Sequence, residues 1–204
     1  MQALRHTGWY KQRLSAQLLS GDHRQQVMAA AALVQLGAEQ QLLDALKLNQ
    51  PEAREVARRA LEYLWFNAAG DEAYQLLQAA HQAAEKEDWK QALTILNRLT
   101  GTFPKFAEGW NRRAAVHWQM GECAESLADC ERTLALNPHH YGAWQGLGIC
   151  RLQEGDVAEA CRCLRAALKI IPHDEATRET LRRCEELRRT YPGRDPRGKT
   201  ADLI

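Results

Sequence analysis

Apolar residues recur at helical spacing through most of the chain, in runs broken by short polar or glycine-containing turns. The clearest pair of runs lies late. Trp144, Leu147 and Gly148 share one side of a first helix, Gly155 and Asp156 make a turn, and Ala160, Leu164 and Ala167 share one side of a second. Pro172 cannot continue that helix and ends it. Gly148 and Ala160 lack bulk, so the two helices can approach closely while Trp144, Leu147 and Leu164 fill the space around them. Prolines recur at Pro104, Pro138 and Pro172, 34 residues apart, each preceded by an apolar stretch. The period divides the second half into three units, 73–106, 107–140 and 141–174.

The second unit carries Trp110, Arg113, Ala114, Gly121, Ser126, Cys130, Thr133 and Pro138 at the corresponding places, with Arg113 where the third has Leu147. The first carries Leu76, Ala79, Ala80, Trp89, Ala92, Leu96, Leu99 and Pro104, with Glu87 and Asp88 at the turn where the others have glycine. After Pro172, Leu181, Cys184 and Leu187 form one stripe among Arg and Glu over 175–190, the pattern of a terminal capping helix. Pro192, Gly193, Pro196 and Gly198 then break all periodicity, which predicts a flexible tail over 191–204.

The first seventy residues predict four helices. Residues 4–19 form one, with Trp9 and Tyr10 as its anchors. Residues 23–37 form the next, with Val27, Ala31 and Val34 on one side, Leu33 beside them and Gly37 as its stop. A third covers 39–48, and Pro51 opens a fourth that runs to about residue 67. Met28, Ala32, Leu33 and Leu36 overlay Val56, Ala60, Leu61 and Leu64 at an offset of 28 residues. The junction at Gly70 and Asp71 is too short for a flexible linker, so a continuous superhelix is expected.

The 34-residue unit resembles the tetratricopeptide repeat, with the third copy matching best, and the offset pair in residues 1–70 resembles a divergent HEAT-type leader. The resemblance implies an all-α fold, a right-handed superhelical stack of antiparallel helical hairpins. The runs Phe106-Ala107-Glu108-Gly109-Trp110-Asn111-Arg112-Arg113-Ala114 and Thr133-Leu134-Ala135-Leu136-Asn137-Pro138-His139-His140-Tyr141 are similar to small bacterial and plastid tetratricopeptide proteins. No settled activity transfers from these. In this family the groove is lined by the first helix of each hairpin. That register selects Leu77, His81 and Glu85, then Glu108, Asn111, Arg112, Ala115, Trp118 and Gln119, then Gln145, Ile149, Leu152 and Gln153. An aromatic flanked by amides, one Arg and aliphatics has the composition of a peptide-binding surface. Trp118 has two readings, a groove contact or a filler between hairpins, whereas Trp110 and Trp144 hold core positions. Some relatives grip a chaperone's terminal carboxylate with Lys and Asn. Those places here hold Leu77, His81, Arg112, Gly142 and Gly146, so the clamp is absent.

Composition narrows the function. The 27 Lys and Arg nearly cancel the 26 Asp and Glu, which disfavours nucleic acid as a partner. No apolar run approaches the roughly 18 residues of a spanning helix, so a soluble, cytoplasmic protein with no membrane insertion is expected. Six cysteines contain no CxxC pair and predict reduced thiols; Cys130 and Cys150 read as core, and Cys161 and Cys163 point to different faces, leaving one exposed. No HExxH motif or glycine-rich phosphate loop occurs. The adjacent His139 and His140 sit in a turn, where histidines face solvent. No cofactor, metal site or catalytic residue is expected. The sequence predicts an adaptor or assembly factor that binds a protein or peptide partner. A self-associating structural protein, a possible homo-oligomer, is the alternative, and a thiol sensor at Cys161 or Cys163 is a third.

Overall fold

The computed structural model describes residues 2–190, with side chains from residue 8 onward. The expected tail, 191–204, lies outside the described residues. All the regular structure described is helical: α1 (Gln2–Ser20), α2 (His23–Gln35), α3 (Glu39–Ala45), α4 (Pro51–Phe66), α5 (Asp71–Glu85), α6 (Trp89–Thr102), α7 (Ala107–Gln119), α8 (Cys123–Leu136), α9 (Tyr141–Gln153), α10 (Val157–Ile170) and α11 (Glu175–Thr190). The chain separates into two compact units at Ala68 and Ala69.

In the first unit α2 packs against α1 and α4, and the short α3 bridges α1 and α4. Asp22 and Gln25 close a reciprocal capping box at the start of α2, and Gly37 takes φ 57° to stop it. Pro51 starts α4, where its missing N–H costs nothing. Leu18, Leu33, Leu42 and Leu61 are fully enclosed, and the buried Trp65 donates its indole N–H to Glu39 at 2.7 Å. Two expectations change here. Trp9 is 59% exposed, and Tyr10 is exposed beside it, so α1 is anchored by Leu14 and Leu18. On α2 the buried set is Gln26, Ala29, Ala30 and Leu33, while Val27 and Ala31 face outward. Short alanines let α2 approach its neighbours closely, and that contact turns the valine stripe away.

The second unit consists of the hairpins α5/α6, α7/α8 and α9/α10, followed by α11 on α10. Each turn needs one left-handed residue. Gly121 (φ 78°) and Gly155 (φ 86°) supply it without strain, whereas the first hairpin uses Glu87 at φ 58°. Asp88 and Asp156 accept the backbone N–H of Gln91 and Glu159 to begin α6 and α10. A Cβ on Gly148 would lie 3.0 Å from Leu164 Cγ, so the close helix approach expected there is real. Trp110 and Trp144 are half-buried rather than core. Each donates its indole N–H to the carbonyl of the preceding repeat's proline, Pro104 and Pro138, at 3.0 Å.

Cys161 and Cys163 are both fully enclosed, which corrects the expectation that one is exposed. The two faces of α10 are covered separately. Cys161 packs with Val157, Ala160, Leu164 and Cys184, and Cys163 packs with Ala114, Leu127, Leu147 and Cys150. Burial pushes both thiols above their ordinary range, so neither is a reactive thiolate.

Candidate functional site

The first helices of the three hairpins, α5, α7 and α9, carry the groove residues selected by register. Asn111, Ala115, Trp118 and Gln119 from α7 and Gln145 and Ile149 from α9 line one cavity of about 260 Å3. Its remaining walls are small or sulfur-bearing: Ala114, Ser126, Cys130, Gly142, Gly146 and Cys150. Leu77 and His81 from α5 and Arg112 from α7 line a neighbouring cavity of about 160 Å3. Ala115 and Gln119 border both, so the two cavities are adjacent.

Glycine makes the larger cavity possible. A Cβ on Gly146 would lie 3.1 Å from Cys130 Sγ, and one on Gly142 would lie 3.4 Å from the His140 ring. Side chains at these two places would occupy the space, so the absence of a clamp is also what opens the cavity. No ionisable carboxylate, Lys or Arg lines it. Its sulfur atoms are uncharged. Burial pushes the Cys130 thiol up to about 12 and also raises Cys150, whose Sγ lies 3.4 Å from Ser126 Oγ. Trp118 packs on the cluster formed by Ala114, Leu127, Cys130, Leu147 and Cys150 and also lines the cavity. The Asn111 carboxamide has no hydrogen-bond partner among the described residues, whereas Gln145 Nε2 already donates to Thr177 Oγ1 at 2.6 Å.

Four of the selected residues lie elsewhere. Glu85 pairs with His81 at 3.3 Å on an exposed surface. Leu152 packs on the Cys161 and Cys184 cluster, and Gln153 accepts from Cys123 Sγ at 3.1 Å. Glu108 is 2% exposed and forms no part of the groove surface. Its Oε1 accepts from Arg112 Nε at 2.5 Å and its Oε2 lies 2.8 Å from His140 Nε2. Contrary to expectation, His140 is buried, because its ring caps α9. Nδ1 accepts the Ala143 N–H at 3.2 Å, which leaves Nε2 to carry the proton and donate to Glu108. Burial pushes the Glu108 carboxyl up, but the His140 hydrogen bond and the Arg112 charge outweigh it and hold the group below the usual carboxylate range. Arg112, the one cation bordering the groove at α7, is thereby neutralised.

A second buried cluster was not legible as such. Arg113 makes a bidentate pair with Asp129, both bonds at 2.7 Å, and reaches back to Asn97 and Thr100 on α6. Its guanidinium also stacks 4.6 Å from the centre of the Trp110 ring. The signal available in sequence was Arg113 standing where leucine is usual, with an acidic residue sixteen positions later in the facing helix.

The tetratricopeptide-repeat family model matches residues 113–175, from the middle of α7 through α10. A TPR repeat-containing protein of Rhizobium etli is 28% identical over 140 residues, covering 68% of this chain and 69% of the relative. The human WD and tetratricopeptide repeats protein 1 is 31% identical over 90 residues, 43% of this chain but only 13% of that protein. Among solved structures, the first TPR of Spaghetti (RPAP3) bound to the HSP90 peptide SRMEEVD superposes with a TM-score of 0.55 at 18% identity, covering 56% of this chain and 91% of that one. The period, the hairpins with their left-handed turns and these matches agree: the chain carries tetratricopeptide repeats over residues 113–175, in a hairpin unit that has the tetratricopeptide fold.

Proposed function

We propose that the α5, α7 and α9 groove binds a peptide segment of a protein partner, seating one uncharged apolar side chain in the cavity between α7 and α9, and that the protein is an adaptor or assembly factor rather than an enzyme. The observation that carries this reading is the cavity itself, an uncharged recess beside the unpartnered Asn111 amide, which can hold a peptide backbone while the recess takes the side chain. None of the described helices is long and apolar enough to cross a membrane, and six free thiols, five of them buried, fit a reducing compartment such as the cytoplasm.

The ligand's chemistry differs from that of the structural neighbour. The peptide bound there, SRMEEVD, carries three acidic side chains. Here the bordering cation Arg112 is already committed to Glu108, and no charge lines the larger cavity. An acidic terminal segment therefore gains little, and an aliphatic or methionine anchor gains most.

Selection of displayed random peptides on the full chain tests this, with Ile149→Glu as the counter-target and SRMEEVD as the control. The expected result is a consensus built on an apolar anchor, retained by the wild type and lost with Ile149→Glu. Enrichment of acidic segments, or of peptides that bind both proteins equally, would overturn the reading.

A further inference from the structure

A cavity of about 760 Å3 lies outside the tetratricopeptide hairpins, along the outer face of α2 and α4. Its floor is short and apolar, made by Val27, Ala31 and Val34 of α2 and Val56 and Ala60 of α4, so another helix could approach closely. Two of its apolar lining side chains stand largely in solvent: Val27 at 45% exposure and Tyr63 at 61%. Scattered exposed apolar residues need no explanation, but a contiguous groove bordered by them does.

One pair of charges on the groove, Glu55 and Arg59, is placed to meet a second copy of the chain. The lining of α4 runs from Pro51 to Tyr63, and its midpoint is residue 57. Glu55 and Arg59 both line the groove and stand two positions either side of that midpoint. A second α4 laid antiparallel across the midpoint therefore meets Glu55 with Arg59 and Arg59 with Glu55. This is the reciprocal pattern of an isologous two-fold contact. Within one chain Glu55 accepts from Arg58 at 2.8 and 3.0 Å and from Arg59 Nε at 2.7 Å, while Arg59 is still 74% exposed and keeps guanidinium donors for the carboxylate of a second copy across the axis.

We infer that this α2/α4 face is a self-association surface, on which a second copy of the chain packs its own α2/α4 face antiparallel, with the two Glu55 and two Arg59 side chains forming a ring at the two-fold axis. Helices of 13 and 16 residues spaced by about 10 Å give a footprint of roughly 20 by 20 Å. That is smaller than the ~800 Å2 per partner of a standard interface, so the dimer is weak and forms in the micromolar range. The inference is independent of the peptide groove and survives its failure.

Sedimentation of the full chain from about 5 to about 500 µM tests it. The wild type is expected to pass from monomer to dimer. Arg59→Glu alone gives a wholly acidic pair and Glu55→Arg alone a wholly basic pair, so each weakens its own dimer at least about tenfold. An equimolar mixture of the two variants restores a dimer, because every cross-axis contact is again between opposite charges. Ala31→Glu, an exposed floor position on a helix, abolishes the dimer with helicity unchanged. A wild type that stays monomeric throughout, a mixture no better than its components, or a dimer indifferent to Ala31→Glu would each overturn the inference.

Discussion

The two units spend their polar and apolar residues in opposite ways. In the hairpin unit, buried ionic side chains link neighbouring helices: Glu108 with His140, and Arg113 with Asp129. In the leading unit, charges stay on the surface and large apolar side chains join them there, as Met28 and Tyr63 do. The difference teaches where specificity is stored. A stack of similar hairpins could slip from one register to another, and a buried carboxylate that needs one particular histidine from the next hairpin's turn distinguishes the correct neighbour from a shifted one. Among its described residues the leading unit shows no such buried ion pair to act as a lock.

Removing the lock should cost most. Glu108→Ala leaves Arg112 and His140 facing an empty buried site and is expected to lower unfolding free energy by about 3–5 kcal/mol in urea titration. Arg112→Glu should also destabilise, because it sets a second carboxylate against the buried Glu108. The next largest effect is counter-intuitive. Arg113→Leu moves the repeat toward the usual residue, yet it strands Asp129, so a loss of about 2–4 kcal/mol is expected. Adding Asp129→Ala should recover most of that loss; a double variant no better than the single one would show that the bidentate pair is not the cause.

Acid acts on the same lock. The Glu108 carboxyl sits below its unfolded value when folded, so its contribution is complete above the ordinary carboxylate range and fades as pH falls through the lower folded value. Unfolding followed across that window should lose stability with acid in the wild type, with a flatter profile in Glu108→Gln. A gain follows at the turn of the first hairpin: Glu87→Gly relieves a left-handed residue and should stabilise by about 0.5–1 kcal/mol. Met28→Gln in the leading unit should change stability by less than about 0.5 kcal/mol, since the side chain is already in water.

The proline period and the glycine turns carried the hairpins to within a residue or two, because each marks a backbone requirement that sequence spacing alone expresses. The groove was legible for the residues whose register also decides their exposure, such as Asn111, Ala115, Trp118 and Ile149. Glu108 shares that register and was still misplaced. Helical phase says which face a residue occupies but not whether the turn before the next hairpin folds over it, and here His140 does so. The same limit explains α2, where two apolar stripes competed and the smaller alanines won the contact. Trp9 misled for a related reason. Size makes an aromatic look like an anchor, but α1 has Leu14 and Leu18 on the side that meets α2 and α3.

The most direct test of the central claim is calorimetric titration of an apolar-anchored peptide selected on the wild type into the wild type and into Ile149→Glu. The account predicts micromolar or tighter binding to the wild type, a loss of at least about tenfold in the variant, and no comparable binding of SRMEEVD. Equal affinity for the two proteins, or preference for the acidic peptide, would contradict it.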